Sequence, residues 1–184
     1  MLDSLITSKT RIKLLLKFFL NPETQAYLRG LAEELGESTN AVRVELNRLN
    51  KAGLLETSYN GRIKLYHARK KHPLFPDIHN LVKKNMGIDK VETILSELGT
   101  VEVAMIIGDY ARGIDSGIID LVIVGKIDKA FLMHLIEKSE KIIKRKIRPL
   151  ILTKREFTKL QEKLKVDKAL VIWAASSKKK TAGV

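Results

Sequence analysis

Two sets of side chains have types and spacings that could do more than fold the chain. Asn40, Arg43, Asn47 and Asn50 recur at steps of three and four, so a helix through them gathers them on one side. Asn and Arg carry the donor and acceptor pairs that match adenine and guanine edges in the major groove of DNA. Thr39 stands just before them, and Arg48 and Lys51 lie at the end of the same run, where they suit phosphates better than bases. The plainer alternative is a polar helix side that only faces water. What favours DNA is the nearby pair Arg62 and Lys64 beside Asn60-Gly61, with Glu45 and Glu56 the few acids in the region. The second set is Gly108, Asp109, Arg112, Gly113 and Asp120, set between apolar runs. His72 and His79 lie seven apart with no third ligand at metal spacing, so no metal site is expected.

The elements that must position the first set are legible. Ser8 can cap a helix whose apolar residues Ile12, Leu15, Leu16 and Phe19 recur at three and four, and Asn21-Pro22 stops it. Tyr27, Leu28, Leu31, Ala32 and Leu35 predict a second helix closed by Gly36. Ser38 and Thr39 offer caps for a third, with Val42, Leu46 and Leu49 inward and Gly53 past its end. Strands at Leu54–Tyr59 and Arg62–Ala68 then flank Asn60-Gly61, which predicts a hairpin with a type I′ turn. Pro73 and Pro76 punctuate the bridge that follows, where Leu74, Ile78, Leu81 and Val82 predict a connecting helix packed on both halves.

Composition narrows the classes. With 34 Lys+Arg against 21 Asp+Glu, the formal charge is +13, which favours a polyanionic partner. The excess lies in both halves, though Lys178-Lys179-Lys180 and the run from Lys141 to Arg148 account for part of it. The absence of cysteine removes disulfides, thiolate metal sites and a cysteine nucleophile. The apolar fraction of 45% argues against general disorder. No run reaches the ~18 apolar residues of a membrane span, and the start lacks a basic signal-peptide region. A cytoplasmic protein that makes no membrane contact is expected.

Helix, helix, short turn, helix and hairpin form the order of a winged helix-turn-helix, with Gly36 to Thr39 as the turn. The run "STNAVRVELNRLNKAGLLETSYNGRIKLYHA" resembles the third helix and wing of the ArsR-like winged-helix regulators, over about residues 8–72. The resemblance implies double-stranded DNA as partner, contacted by Thr39, Asn40, Arg43 and Asn47 at the bases and by Arg48, Asn60, Arg62 and Lys64 at the backbone. One copy offers few base contacts, so a homodimer reading two half-sites is expected. Leu14, Leu16 and Phe18 of the first helix are the candidate dimer surface, the alternative being that they pack on the second domain.

The second half alternates strands and helices: Val101–Ile107, Ile118–Val124, helix Lys129–Ile143, Ile147–Leu152, helix Arg155–Leu164 and Ala169–Trp173. This predicts a mixed sheet with helical cover. The stretch "MIIGDYARGIDSGIIDLVIVG" resembles the signature of the DNA polymerase β-like nucleotidyltransferases, which read roughly G-S-x-A-R-G, a loop, then S-D-x-D-L-x-V. In that superfamily the glycine turn brings backbone N–H groups to phosphates. Two strand aspartates and a later acid hold metal ions.

Here Gly108, Ala111, Arg112 and Gly113 match, Asp109 replaces the serine, and Ile118 replaces the first metal-binding aspartate. Only Asp120 remains, and the later strand has Arg148 or Pro149 where an acid is sought. One carboxylate cannot clamp two divalent cations, so no catalytic residue, metal or cofactor is expected. Gly108, Asp109, Arg112, Gly113 and Asp120 form a vestigial nucleotide site. A site re-formed with Asp109 and Asp115 is the weaker alternative. Asp120 is expected to pair with Arg112 and pin the loop.

With "KRKIRPLILTKREF" (Lys144 to Phe157), the whole is similar to transcriptional regulators that join a winged helix to a nucleotidyltransferase-like domain, over residues 8–165. The resemblance implies a two-domain α+β or α/β chain. It divides into a winged helix over 1–72, connecting helices over 73–98, a nucleotidyltransferase-like mixed sheet with helices over 99–175, and a basic, disordered tail over 176–184. The expected function is DNA-binding transcriptional regulation of repressor type. The second domain would be a sensor or dimerisation scaffold that takes a nucleotide or small-molecule effector. The alternative is an active nucleotidyltransferase modifying a protein or RNA, with the winged helix as targeting module.

Overall fold

Ser8 accepts a hydrogen bond at its Oγ from the Arg11 N–H, and this cap starts the helix that organises the amino-terminal half. The computed structural model describes residues 2–98 and 101–174. The chain is a mixture of helices and two sheets and divides into two compact units. The first holds the residues up to Asp89 together with Ala111–Ser116; the second holds Lys90–Tyr110 and the chain from Gly117.

In the first unit, a short helix α1 (Leu2–Leu5) leads into α2 (Lys9–Leu20), α3 (Leu28–Leu35) and α4 (Thr39–Lys51). Helix α3 stops at Gly36 in the left-handed conformation, and Ser38 caps α4 by accepting from the Ala41 N–H at 3.1 Å. The connection is therefore three residues, Gly36 to Ser38, and Thr39 already belongs to α4. Val42, Leu46 and Leu49 of α4 are buried, and each contributes ~1.5–3 kcal/mol relative to exposure.

Strands β1 (Leu55–Asn60) and β2 (Ile63–Ala68) form an antiparallel hairpin. Its second strand is tied to the segment before α3 through paired Ala26–Tyr66 backbone hydrogen bonds. The turn differs from the type I′ expectation. Asn60 pairs with Ile63, so Gly61 and Arg62 are the central residues. Gly61 has φ +59°, and Arg62 is not at positive φ. A type I′ turn needs positive φ at both centres; glycine alone at the first centre is the type II′ pattern. The consequence is positional, because Arg62 stands at the tip itself and Asn60 is a strand residue.

The bridge is two helices, α5 (Phe75–Met86) and α6 (Ile88–Leu98), parted by the left-handed Gly87. Helix α5 packs on α2 inside the first unit. The Phe19 and Phe75 rings lie 5.6 Å apart, Phe75 stacks on His79, and the Phe19 carbonyl meets His79 Nδ1. Residues 73–89 are thus part of the first unit's body rather than a separate connector. His79 is half-buried between α5 and the end of α2.

The candidate dimer surface on α2 is corrected. Leu14 and Phe18 are fully buried and Leu16 nearly so, which removes them from any contact with a second copy. The three-and-four spacing identified one apolar stripe, but α2 is covered on more than one side.

The second unit is a four-stranded sheet in the order β5 (Lys146–Leu152), β4 (Ile118–Gly125), β3 (Val101–Ile107), β6 (Leu170–Ala174). Strands β4 and β5 run parallel and the other pairs antiparallel. Helix α7 (Gly108–Ala111) is a single turn, α8 (Lys129–Ile143) is capped by Asp128, and α9 (Lys154–Leu160) carries a Thr153/Glu156 capping box. The expected helix from Arg155 to Leu164 is shorter, because turns and a 3₁₀ segment at Val166–Lys168 take over after Leu160. Met105, Val122 and Leu152 form a core with Phe157, Leu160 and Leu164 against it. No helix among the described residues is long and apolar enough to cross a membrane. The expected basic tail, 176–184, lies outside the described residues.

Candidate nucleic-acid interface

Helix α4 presents Thr39, Asn40, Arg43, Asn47 and Asn50 to solvent on one side and buries Val42, Leu46 and Leu49 on the other. Arg43 makes no ion pair with any described acid. Val44 is also exposed, so this side is not wholly polar. At the hairpin, Gly61, Arg62, Ile63 and Lys64 are all exposed. Lys64 Nζ lies 5.3 Å from the centre of the Tyr66 ring, a cation–π contact that steadies the side chain. Tyr59, paired across from Lys64, is 70% exposed and places an aromatic ring beside the tip, a feature that no residue spacing announces.

The one acid of α4 is turned away from this surface. Glu45 is buried and ties α4 to α2: Arg11 Nε donates to it at 2.8 Å and Ser8 Oγ at 2.9 Å. Arg48 Nη1 donates to the same carboxylate at 3.1 Å, so its charge is partly spent within the fold, unlike that of Arg43 or Arg62. The signal was available in the sequence, since Glu45 shares the wheel position of Val42, Leu46 and Leu49. Lys13 to Glu37 at 2.6 Å and Lys17 to Glu34 at 2.7 Å extend the α2 seam to the α3 side.

Burial acts to raise the Glu45 carboxyl, but hydrogen bonds from Arg11 and Ser8, with the charges of Arg11 and Arg48, outweigh it and hold the group below its ordinary 4.5. Between the folded and unfolded values the unfolded chain binds more protons. Stability from this group is therefore complete above about 4.5 and is lost as pH falls through the lower folded value. Glu45→Gln is expected to remove about 1–3 kcal/mol at neutral pH and to flatten part of the acid limb of a thermal-unfolding profile. A profile parallel to that of the unaltered chain would contradict the assignment.

In the second unit, Gly108 and Asp120 come together: a Cβ built on Gly108 would lie 3.2 Å from Asp120 Oδ2. The expected partner of Asp120 is corrected. Arg148, directly across in the β4–β5 register, donates from Nε at 2.7 Å and reaches Oδ1 with Nη2 at 2.7 Å. The Asp120 carboxylate holds the Arg148 guanidinium above its ordinary value. A cation thus occupies the register position across from Asp120. Ile118, one pleat away on the same strand, is partly exposed and offers no oxygen. Among the described residues, no group of three or more His, Asp or Glu could hold a metal ion.

Asp109 is half-buried on α7 and Arg112 is exposed. Gly113 belongs to the first unit, where it is buried against the α2 backbone: a Cβ there would lie 2.7 Å from the Leu16 carbonyl. Its glycine identity has a packing cause that needs no phosphate. No family model, curated protein or solved structure matches the chain at a significant level.

Proposed function

We propose that the chain is a DNA-binding transcriptional regulator, with the first unit acting as a winged helix-turn-helix and the second as a nucleotidyltransferase-like domain without catalysis. The observation that carries the reading is the exposed edge of α4, where Asn40, Arg43 and Asn47 stand free of acids while Glu45 on the same helix is sequestered. In this reading α4 enters the major groove and its amides and guanidinium meet base edges. Lys51, Arg62, Lys64 and, less fully, Arg48 neutralise phosphates on either side.

The Asp120–Arg148 pair favours the non-catalytic second domain, because an arginine in that place repels the cations that nucleotidyl transfer needs. A second copy completes the reading, since a single short helix reads few bases and two-fold pairing doubles them.

The test is selection of bound duplexes from a random pool with the full chain, followed by affinity measurements over a range of salt. A defined motif is expected. About four neutralised phosphates per copy predict a slope of log K against log salt of about −3 to −4, and about twice that for a dimer. Arg62→Ala should lower the slope by about 1 and Arg48→Ala by less, its charge being shared with Glu45. A pool that yields no motif, or binding indifferent to salt, would overturn the proposal.

A further inference from the structure

Strand β6 ends one side of the four-stranded sheet; it pairs with β3, and among the described residues no strand pairs with its other side. Sheet edges are ordinarily guarded by charge or proline, which stop another strand from adding. The opposite edge obeys this rule, because β5 carries Lys146, Arg148 and Pro149. Strand β6 does not: from Ala169 to Ser177 the sequence has neither a charged residue nor a proline. Val171 in its middle is 56% exposed.

The charge of the whole chain sharpens the contrast. With a formal net charge of +13, most surfaces laid against their own copy bring like charges together. An uncharged strand is exempt. It is also its own complement, because antiparallel pairing about a two-fold axis matches a strand to itself, residue i meeting residue j of the copy as j meets i.

We propose that β6 is the contact between two copies of this chain, the strands pairing antiparallel across a two-fold axis to join the two sheets into one. This inference rests on the homodimer in the reading above and not on its DNA contacts. It supplies the surface that the buried α2 residues cannot.

Sedimentation of the full chain over a range of concentrations tests it, with Val171→Lys on β6 and Leu150→Lys on β5 as the paired variants and circular dichroism to check folding. The two-fold axis brings the introduced lysines together, so Val171→Lys should weaken dimerisation by about tenfold or more, while Leu150→Lys leaves it intact. In the unaltered chain, amide exchange over 170–174 should slow as concentration rises and exchange over 146–152 should not; this holds the test open if Val171→Lys does not fold. A folded Val171→Lys that dimerises normally, or exchange in 170–174 indifferent to concentration in a dimeric chain, overturns the β6 contact alone. A chain monomeric at every concentration overturns both the contact and the homodimer.

Discussion

Arg43→Ala is expected to weaken binding to the selected DNA site by roughly 5- to 150-fold, about 1–3 kcal/mol, and to relax base preference at one position. Arg43 sits in the middle of the exposed edge of α4, flanked at helical spacing by Asn40 and Asn47, with no described acid paired to it. An arginine so placed can offer two parallel donors to a guanine edge, and alanine forfeits both while leaving the helix intact. The check is a titration against the selected duplex and its single-base variants at one fixed salt concentration. Equal losses on selected and scrambled duplexes would make Arg43 a phosphate contact and remove α4 from its reading role.

Gly113→Ala should destabilise the chain by about 2–5 kcal/mol, the sum of left-handed backbone strain and a forced shift of a helix. Its φ is +80°, and a Cβ would stand 2.7 Å from the Leu16 carbonyl carbon, its oxygen and the Lys17 Cα, all backbone atoms that cannot swing aside. Gly117→Ala is the matched control, since φ is +78° there but nothing lies within 4 Å of the added carbon. The difference between their denaturant midpoints isolates the close approach from the strain. If Gly113→Ala were as mild as Gly117→Ala, the packing cause would fall, and the phosphate-binding reading of this glycine would regain its standing.

These two residues mark how far the sequence could be read. Arg43 was legible because helical spacing alone separates it from Val42, Leu46 and Leu49. Gly113 was misleading, because its neighbours Gly108 and Arg112 match a motif whose glycines serve phosphates, while the atoms that demand a glycine here lie almost a hundred residues earlier. Asp120 gives the same lesson. Ile118 shows in the sequence that no second carboxylate stands beside Asp120 on the strand, but local spacing points to Arg112 as its partner, whereas the parallel β4–β5 register delivers Arg148. The hairpin turn slipped by one residue for a more local reason: Asn-Gly satisfies two turn types, and strand pairing chooses between them.

The short-range features were legible from the chain alone: helix caps at Ser8 and Ser38, the apolar stripe of α4, the alternation of strands and helices after residue 100, and Asp120 as the one acid of the run Ile118–Val124. Each follows from a period or a residue type within a few positions, where local geometry leaves little choice. The pairings over long separations came only with the folded chain: Glu45 with Arg11, Asp120 with Arg148, Gly113 with the Leu16 backbone, and the unguarded place of β6 at a sheet edge. Those depend on which elements close against each other, and that is set by the packing of many weak contacts across the chain at once.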